Sequence, residues 1–356
     1  MMQLGTHEQI LRSGSSFVDD YTLGLQFPAC DFAGYFLFAT LDGDGPCRAL
    51  NLGLLIGTHD GRDLGFPAMV GDSREILVIR SLIHEGTSYR SPDDSSYTRA
   101  DVVYSRAALD VQVADVARIR GRWPDFELFF VDPLHDIVYD LRGRAGYAHW
   151  VPDHVYSTAY SYVVLPDFSF DGTITLKGTT HQVSGVGALD HVNGRNVASP
   201  TSPGVGFWHY DPIAWDGGTV SNALYYVGTA GEVVVGSGVT TLPDGGYHPG
   251  PRCSIEYVEI AEGCGNSGIG SGRQPVPRVW RGRLETAHGE LEYVARAVDV
   301  VAPDGSAVTE ANALFEATGV FTSSEGARID VRGRGYSEYM GGSVDISELT
   351  DGQEQR

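Results

Sequence analysis

The sequence predicts an all-β protein made of antiparallel strands, folded as sandwiches or barrels. Two observations indicate this class. The chain of 356 residues contains 46 glycines, and short apolar runs recur between turn signals such as Asp42-Gly43-Asp44-Gly45. A long amphipathic helical pattern is absent from the sequence, so we expect few and short helices. Since this length exceeds the comfortable size of one hydrophobic core, two domains are expected.

In the first half, each expected strand is an apolar or β-branched run bounded by turn residues. Asp171-Gly172 is a predicted turn. The apolar residues of Ser105–Arg120 fit neither the helical nor the strand period, so a short helix and two strands both remain open. The strands expected here are Tyr35–Thr40, Asn51–Gly57, Glu75–Ser81, Asp101–Tyr104, Thr173–Lys177 and Val183–Leu189.

In the second half, strand-like runs again recur between turn residues, with further predicted turns at Asp244-Gly245 and Asp304-Gly305. Two segments could separate the domains, Tyr160–Asp167 and the proline- and serine-rich Ala198–Gly204. The second has the stronger linker composition, so we predict domains at 1–200 and 201–356. The strands expected here are Leu224–Val227, Glu232–Val239, Ser254–Ile260, Val279–Thr286, Glu290–Val301, Ala313–Phe321 and Ala327–Arg332.

The charge excludes two classes of partner. The net charge is -21, from 25 Lys and Arg against 46 Asp and Glu. Nucleic acid and anionic membrane surfaces both require a basic footprint, so neither is an expected partner. The sequence shows no apolar run long enough to span a membrane and no secretory signal pattern, which predicts a cytoplasmic protein. The four cysteines are expected to be free thiols, and the oligomeric state stays open.

Asp190-His191 follows the apolar and glycine-rich strand Val183–Leu189. Adjacent strand residues point to opposite faces, so only one of the two faces a given cavity. A buried Asp190 would favour its protonated form and could act as a general acid. The alternative is a turn, because Asp-His-Val-Asn-Gly is good turn chemistry.

The segment Phe207–Asp211 is an aromatic strand. Alternation puts Trp208 and Tyr210 on one face, with His209 and Asp211 on the other. Two aromatic rings side by side would make a flat wall for a polyene or polycycle, and Tyr210 would add a hydrogen-bond donor. An ordinary core strand is the competing interpretation.

The C-terminal motif Gly333–Tyr339 contains a second candidate acid, Glu338. Strand parity would place Arg334, Tyr336 and Glu338 on one face, although a bulge at the glycines would reset that parity. Glu338 could equally serve in an ordinary salt bridge with Arg334.

The sequence predicts neither a cofactor nor a metal. The spacing of Asp190, His191, His209 and Asp211 matches no known ligand pattern. The glycine-rich Gly263–Gly272 is followed by prolines rather than a helix, so it does not suit a nucleotide phosphate. Motifs for serine hydrolases, zinc proteases and P-loop enzymes are absent from the sequence.

The ordered set of motifs resembles the carotenoid 1,2-hydratase (hydroxyneurosporene synthase) superfamily, which includes decalin-forming Diels–Alderases. The resemblance lies in the Asp-His motif of Val183–Gly194, the aromatic Phe207–Tyr210 and the Gly-x-Gly-Tyr-x-Glu of Gly333–Glu338. Asp31–Phe36 matches only in style. The family commonly has Trp where this chain has Asn193, which indicates a differently shaped pocket.

The resemblance implies two lipocalin-like β domains with a ligand pocket at or near their interface and no cofactor. It also implies a hydrophobic polyene or polyketide substrate. We therefore predict a cofactor-independent cyclase or isomerase, similar to a Diels–Alderase, in natural-product biosynthesis. A hydratase acting on an alkene and a non-catalytic carrier of a lipophilic ligand are the alternatives. The predicted catalytic residues are Asp190, Tyr210 and Glu338, and the predicted substrate-binding residues are His191, Trp208, Tyr225, Tyr336 and Tyr35.

Overall fold

The computed structural model is built almost entirely of β-strands, which confirms the predicted fold class. The helix found in the described part of the chain is a single 3₁₀ turn at Arg99–Asp101. No helix among those residues is long and apolar enough to cross a membrane. The described residues are 32–43, 45–57, 76–91, 97, 99–104, 109–122, 124–147, 149–150, 160–194, 205–228, 233–241, 247–250, 252–262, 275–301 and 310–341.

Contacts group the chain into two compact units. One comprises Met1–Gly65 with Ser73–Val197, and the other comprises Phe66–Asp72 with Ala198–Arg356. Each unit contains one antiparallel sheet. The domain boundary predicted at residue 200 falls outside the described ranges and stays a prediction.

The first unit carries a sheet of 12 described strands in the order β4-β3-β2-β1-β12-β11-β9-β8-β7-β6-β5, with β10 paired to β11. Most neighbours in the sheet are also neighbours in sequence, as expected of hairpin-connected antiparallel strands. The strands are β1 (Phe32–Leu41), β2 (Cys47–Gly57), β3 (Ile76–His84), β4 (Thr87–Arg90), β5 (Val102–Tyr104), β6 (Leu109–Val113), β7 (Ala117–Arg122), β8 (Asp125–Asp132), β9 (Ile137–Arg144), β10 (His149–Trp150), β11 (Tyr160–Leu176) and β12 (Thr179–Gly194).

Alternation along these strands produces the first core. In β6, Leu109, Val111 and Val113 are buried, while Asp110 and Gln112 are partly exposed. The same pattern repeats in β8 and β9. One face of the curled sheet therefore buries a largely aliphatic core, as the period of two requires.

The second unit carries a sheet of nine described strands in the order β16-β15-β14-β13-β21-β20-β19-β18-β17. The last strand, β21, pairs with the first, β13, so both ends of this part of the chain meet at the centre of the sheet. The strands are β13 (Val205–Trp215), β14 (Val220–Gly228), β15 (Val233–Thr241), β16 (Tyr247–Gly250), β17 (Arg252–Glu262), β18 (Pro275–Thr286), β19 (Gly289–Val301), β20 (Glu310–Ser323) and β21 (Arg328–Gly341).

The second sheet curls until β17 lies against β14 and β15. A close approach of backbones makes this possible: a Cβ at Gly236 on β15 would overlap the carbonyl of Cys253 on β17. The enclosed core is richer in aromatic side chains than the first core, with Trp280, Phe315 and Tyr339 among its fully buried side chains. This core also contains polar groups, which are described below.

Several local expectations change in the first unit. The predicted turn at Asp171-Gly172 is wrong, because both residues lie inside the long strand β11. The turn comes later, where Lys177 and Gly178 have φ of 49° and 80°. The turn alternative for Asp190-His191 is also wrong, since both residues are paired within β12.

The ambiguous segment Ser105–Arg120 forms strands β6 and β7 over its described part, which settles the choice against a helix. Strands β8 and β9 were not anticipated. At Gly333 and Gly335, the pairing of β21 with β20 runs without a register shift, so strand parity is kept there. The predicted turns at Asp244-Gly245 and Asp304-Gly305 lie outside the described residues.

Candidate functional site

Tyr210 and Glu338 lie directly opposite each other at the centre of the second sheet. Tyr210 on β13 is in register with Glu338 on β21, and residues paired in this way share a face. The neighbouring His209 and Tyr339 contribute to the opposite, core-facing side. Nevertheless Tyr210 is only 1% exposed and Glu338 only 7%. The non-core face of this sheet therefore holds a buried phenol beside a buried carboxyl group.

Two amides extend this arrangement. Asn222 on β14 donates a 2.6 Å hydrogen bond from Nδ2 to the Tyr210 hydroxyl oxygen. Asn312 on β20 is in register with Glu338 and is fully buried. Tyr336, two residues before Glu338, is buried on the same face. We call this set, Tyr210, Asn222, Asn312, Tyr336 and Glu338, the Tyr210 face.

The Tyr210 face has the chemistry of a hydrogen-bonding or proton-donating site. A phenol is both a donor and an acceptor, and a carboxyl group donates when protonated and accepts when ionised. In accepting its bond from Asn222, Tyr210 uses a lone pair of its hydroxyl oxygen and not its proton. Buried donors of this kind act strongly on a bound carbonyl or alkene, since little water competes with them.

The opposite face of the same strands carries a second polar set, in the core of the unit. His209 and Asp211 are fully buried, and His209 Nε2 lies 2.7 Å from Asp211 Oδ1. With the carboxylate as acceptor, Nε2 carries the proton. The other ring nitrogen, Nδ1, lies 3.1 Å from the Tyr257 hydroxyl and accepts from it when the imidazole is neutral.

Asp211 receives two further hydrogen bonds. Trp280 Nε1 donates to Oδ2 at 2.7 Å, and the Tyr293 hydroxyl donates to the same oxygen at 2.8 Å. Three donors from three strands thus surround one buried carboxylate, which is the condition under which a buried charge is tolerated. We call His209, Asp211, Tyr257, Trp280 and Tyr293 the His209–Asp211 network.

Tyrosines around this network stay protonated. Burial raises the pKa of Tyr257 and Tyr293 well above the ordinary value, and the negative charge of Asp211 raises it further. The pKa values of Tyr225 and Tyr339 are also raised, again chiefly through burial. These hydroxyl groups therefore remain neutral and do not act as bases.

The two faces are linked through the backbone. His209 and Asp211 flank Tyr210, and their side chains are bonded to each other on the core face. In the same way Ser337 and Tyr339 flank Glu338, and Ser337 Oγ donates to the Tyr339 hydroxyl at 2.8 Å. Both strands are thereby fixed on one side at the positions where the Tyr210 face presents its phenol and carboxyl.

Other predicted site residues occupy different environments. Tyr225 is fully buried on the core face of the second sheet, where its hydroxyl lies 3.4 Å from that of Tyr293. Tyr35 is buried in the core of the first unit. Asp190 is 2% exposed and paired with Phe36, on the face of the first sheet opposite its core.

His191 lies in β12 and Trp208 in β13, and their side chains are outside the described part of the structure. Among the described residues, no group of three or more His, Cys, Asp or Glu side chains is arranged to hold a metal ion.

Sequence reasoning did not find the partners of Asp211. Alternation along β13 correctly placed His209 and Asp211 on one face, but Trp280 and Tyr293 lie 69 and 82 residues away from Asp211 in the chain. A single sequence carries no signal for such long-range pairs. Asn222 was missed for another reason: it lies in the strand β14 that pairs with Tyr210, but just before the apolar run that predicted a strand there.

Comparison with known proteins shows the fold. No known family model and no curated protein sequence matches this chain. Among solved structures, it is similar to a Nitrosomonas europaea protein with the provisional name AttH, with a TM-score of 0.60 and 13% identity over 87% of this chain and 92% of that one. It is also similar to kievitone hydratase from Nectria haematococca, with a TM-score of 0.55 and 10% identity over 89% and 90% of the two chains. The chain thus has the fold of these tandem lipocalin-like β proteins.

Proposed function

We propose that this chain is a cofactor-independent enzyme that cyclises or isomerises a hydrophobic polyene or polyketide intermediate at the Tyr210 face. The observation that carries the proposal is the buried, in-register pair of Tyr210 and Glu338 on the non-core face of the second sheet. Membership of the carotenoid 1,2-hydratase superfamily, including its Diels–Alderases, is part of the same proposal. The shared fold and the ordered motifs support it.

In this proposal, catalysis comes from positioning and polarisation. Tyr210 donates a hydrogen bond to a carbonyl oxygen of the substrate, and Glu338 anchors or protonates a second polar group. Withdrawal of electron density through the carbonyl activates a conjugated diene or alkene nearby. Holding the chain of the substrate in its reactive fold removes much of the entropic barrier to an intramolecular reaction.

Hydration is the second candidate, and the likeness in fold to kievitone hydratase favours it. In that reaction the Glu338 carboxyl would transfer its proton to one alkene carbon, leaving a cation on the other. Water would then add through its oxygen and lose a proton to the Glu338 carboxylate, which restores the acid. The same residues serve both reactions, so only the product separates them.

The test compares metabolite extracts of the source organism with and without this gene, followed by incubation of the accumulated compound with purified protein in ¹⁸O-labelled water. A product with the same mass as the precursor and no label supports cyclisation or isomerisation. A product heavier by one labelled water supports hydration and overturns the first candidate. Recovery of the compound unchanged, although bound, would overturn both and indicate a carrier of a lipophilic ligand.

A further inference from the structure

Arg80 is a cation inside the first core. It lies on β3 between Val78 and Leu82, both of which belong to the core cluster, and it is in register with the core residue Leu52 on β2. Its side chain is 1% exposed. An arginine in this position is unusual, since charged side chains are almost never fully buried without a partner.

Within the described structure, few interactions offset the cost of burying the charge of the Arg80 guanidinium group. Arg80 Nη1 donates to the carbonyl oxygen of Val131 at 3.0 Å, and Nε has no hydrogen-bond partner. No carboxylate of the described residues forms an ion pair with it. Asp132, the next residue on β8, uses its own carboxylate for the amides of Leu134 and His135 and for the His135 ring.

A second polar group lies beside Arg80 and is also unsatisfied. The backbone N–H of Ser91 donates to the Arg80 carbonyl, which continues the pairing of β3 with β4 by one residue. Residues paired in this way share a face. Ser91 is 3% exposed, and its Oγ has no hydrogen-bond partner. Two donor atoms, Arg80 Nε on β3 and Ser91 Oγ just after β4, are therefore buried on the core side of the first unit without an acceptor.

We propose that Arg80 and Ser91 bind a carboxylate or similar anion inside the first unit, at a site separate from the Tyr210 face. A buried guanidinium is stable only when an acceptor of opposite charge or several hydrogen bonds compensate it. A carboxylate supplies both, because its two oxygens match the planar array of guanidinium donors and leave a lone pair for Ser91. The ligand is a free small carboxylate or the head group of an apolar molecule whose remainder lies among aliphatic side chains.

The competing interpretation is mechanical. Arg80 joins β3 to the carbonyl of Val131 on β8, and these strands are not hydrogen-bonded neighbours in the sheet. Its role would then be to hold the curled sheet closed. The two interpretations predict opposite effects of removing the charge on the stability of the unliganded protein. A structural link between β3 and β8 stabilises the unliganded protein, whereas an uncompensated charge destabilises it.

The experiment uses the full chain and three variants: Arg80→Met, Ser91→Ala and, as a control for loss of a surface charge, Arg142→Met on the exposed side of β9. Binding of the fluorescent fatty acid cis-parinaric acid is compared with binding of its methyl ester. Thermal unfolding is followed in acetate and, for reference, in the neutral acetamide.

We expect Arg80→Met to raise the unfolding temperature of the unliganded protein and to weaken binding of the acid, but not of the ester, by about ten- to a hundredfold. Ser91→Ala should fold normally, because the Ser91 hydroxyl has no hydrogen-bond partner to lose. It should weaken binding of the acid severalfold, because one donor to the carboxylate is removed. Arg142→Met should match the unaltered protein in all assays.

Preference for the acid over its ester, lost in Arg80→Met, identifies the head group of an apolar ligand. A small free anion is identified by a different pattern. Acetate, but not acetamide, stabilises the unaltered protein, this effect is lost in Arg80→Met, and the acid and its ester bind equally. If neither comparison depends on Arg80, the anion site is overturned, whichever way Arg80→Met shifts the unfolding temperature. None of these outcomes bears on the reaction proposed for the Tyr210 face.

Discussion

Tyr210 on β13 and Glu338 on β21 are paired across adjacent strands, and each is flanked by two residues whose side chains are hydrogen-bonded on the other face of the sheet. The hydrogen bonds between His209 and Asp211, and between Ser337 and Tyr339, restrict the motion of the two strands on the core face, opposite the Tyr210–Glu338 pair. A rigidly held donor loses little conformational entropy when it binds a substrate, as expected of a site that acts by positioning the substrate.

Removal of either functional group of the pair should lower turnover of the metabolite identified above. We expect Tyr210→Phe to reduce kcat by about ten- to a thousandfold, since one preorganised donor is lost. Glu338→Gln should reduce kcat by about a hundredfold or more, since the amide cannot donate an acidic proton. Steady-state kinetics measure both, with Glu256→Gln on the exposed side of β17 as the control. Unchanged kcat in both variants would show that the reaction takes place elsewhere.

Asp190 is a separate prediction on the first unit. It is buried on the non-core face of its sheet, so Asp190→Asn preserves its shape while removing its charge and acidity. If it anchors the substrate as the sequence motif suggests, kcat/KM should fall by about tenfold or more while the unfolding temperature changes little. A variant that keeps full activity would remove Asp190 from the predicted site.

The His209–Asp211 network should be a major source of stability in the second unit. Asp211→Ala leaves His209, Trp280 and Tyr293 without their acceptor, and we expect a loss of about 3–5 kcal/mol in the free energy of unfolding. Tyr293→Phe should cost less, about 1–2 kcal/mol, because Asp211 keeps two donors. Urea unfolding, followed by tryptophan fluorescence, tests whether Asp211→Ala lowers the free energy of unfolding more than Tyr293→Phe does. An equal cost for both variants would contradict the central role of the carboxylate.

Gly282 on β18 provides a steric test of the same network. A Cβ at this position would overlap the ring and hydroxyl of Tyr293, which lies opposite it on β19. Gly282→Ala should therefore push Tyr293 away from Asp211 and lower the free energy of unfolding by about 1–3 kcal/mol. Combining it with Tyr293→Ala, which opens space for the methyl group, should recover part of that loss, and strictly additive losses would argue against the overlap.

The buried cysteines should be unreactive in the folded protein. Burial raises the pKa of Cys47 from 9.0 to about 11 and that of Cys253 from 9.0 to about 12, so both remain neutral thiols at pH 8. With Cys30 and Cys264 replaced by serine, iodoacetamide at pH 8 should modify neither thiol until the protein is unfolded. Mass spectrometry counts the adducts, and rapid modification of the native protein would refute their burial.

The same shifts give a pH dependence. Since the folded-state pKa of each thiol lies above its unfolded value, the stability that the neutral thiols contribute is complete below pH 9 and is lost as pH rises toward 11 and 12. The free energy of unfolding should therefore decline over this alkaline range. Replacing both cysteines with alanine should make the decline shallower.

Local chemistry in the sequence was sufficient for most strands of the second unit. Runs such as Val279–Thr286 and Glu290–Val301 alternate apolar and polar residues, and the structure extends them to β18 and β19 with few changes. Turn chemistry was less reliable. Asp171-Gly172 has the composition of a turn but lies in β11, where pairing with both β9 and β12 determines its conformation.

The sequence by itself determined the all-β class, the strand periodicity and the opposite facing of Tyr210 and His209, because each depends only on the residue and its nearest neighbours along the chain. Only the tertiary structure decided that Glu338 meets Tyr210, that Trp280 and Tyr293 supply the donors for Asp211, and that Arg80 is buried. The physical reason is that pairing across strands and the curl of a sheet bring together residues far apart in sequence, and local propensity contains no information about such contacts.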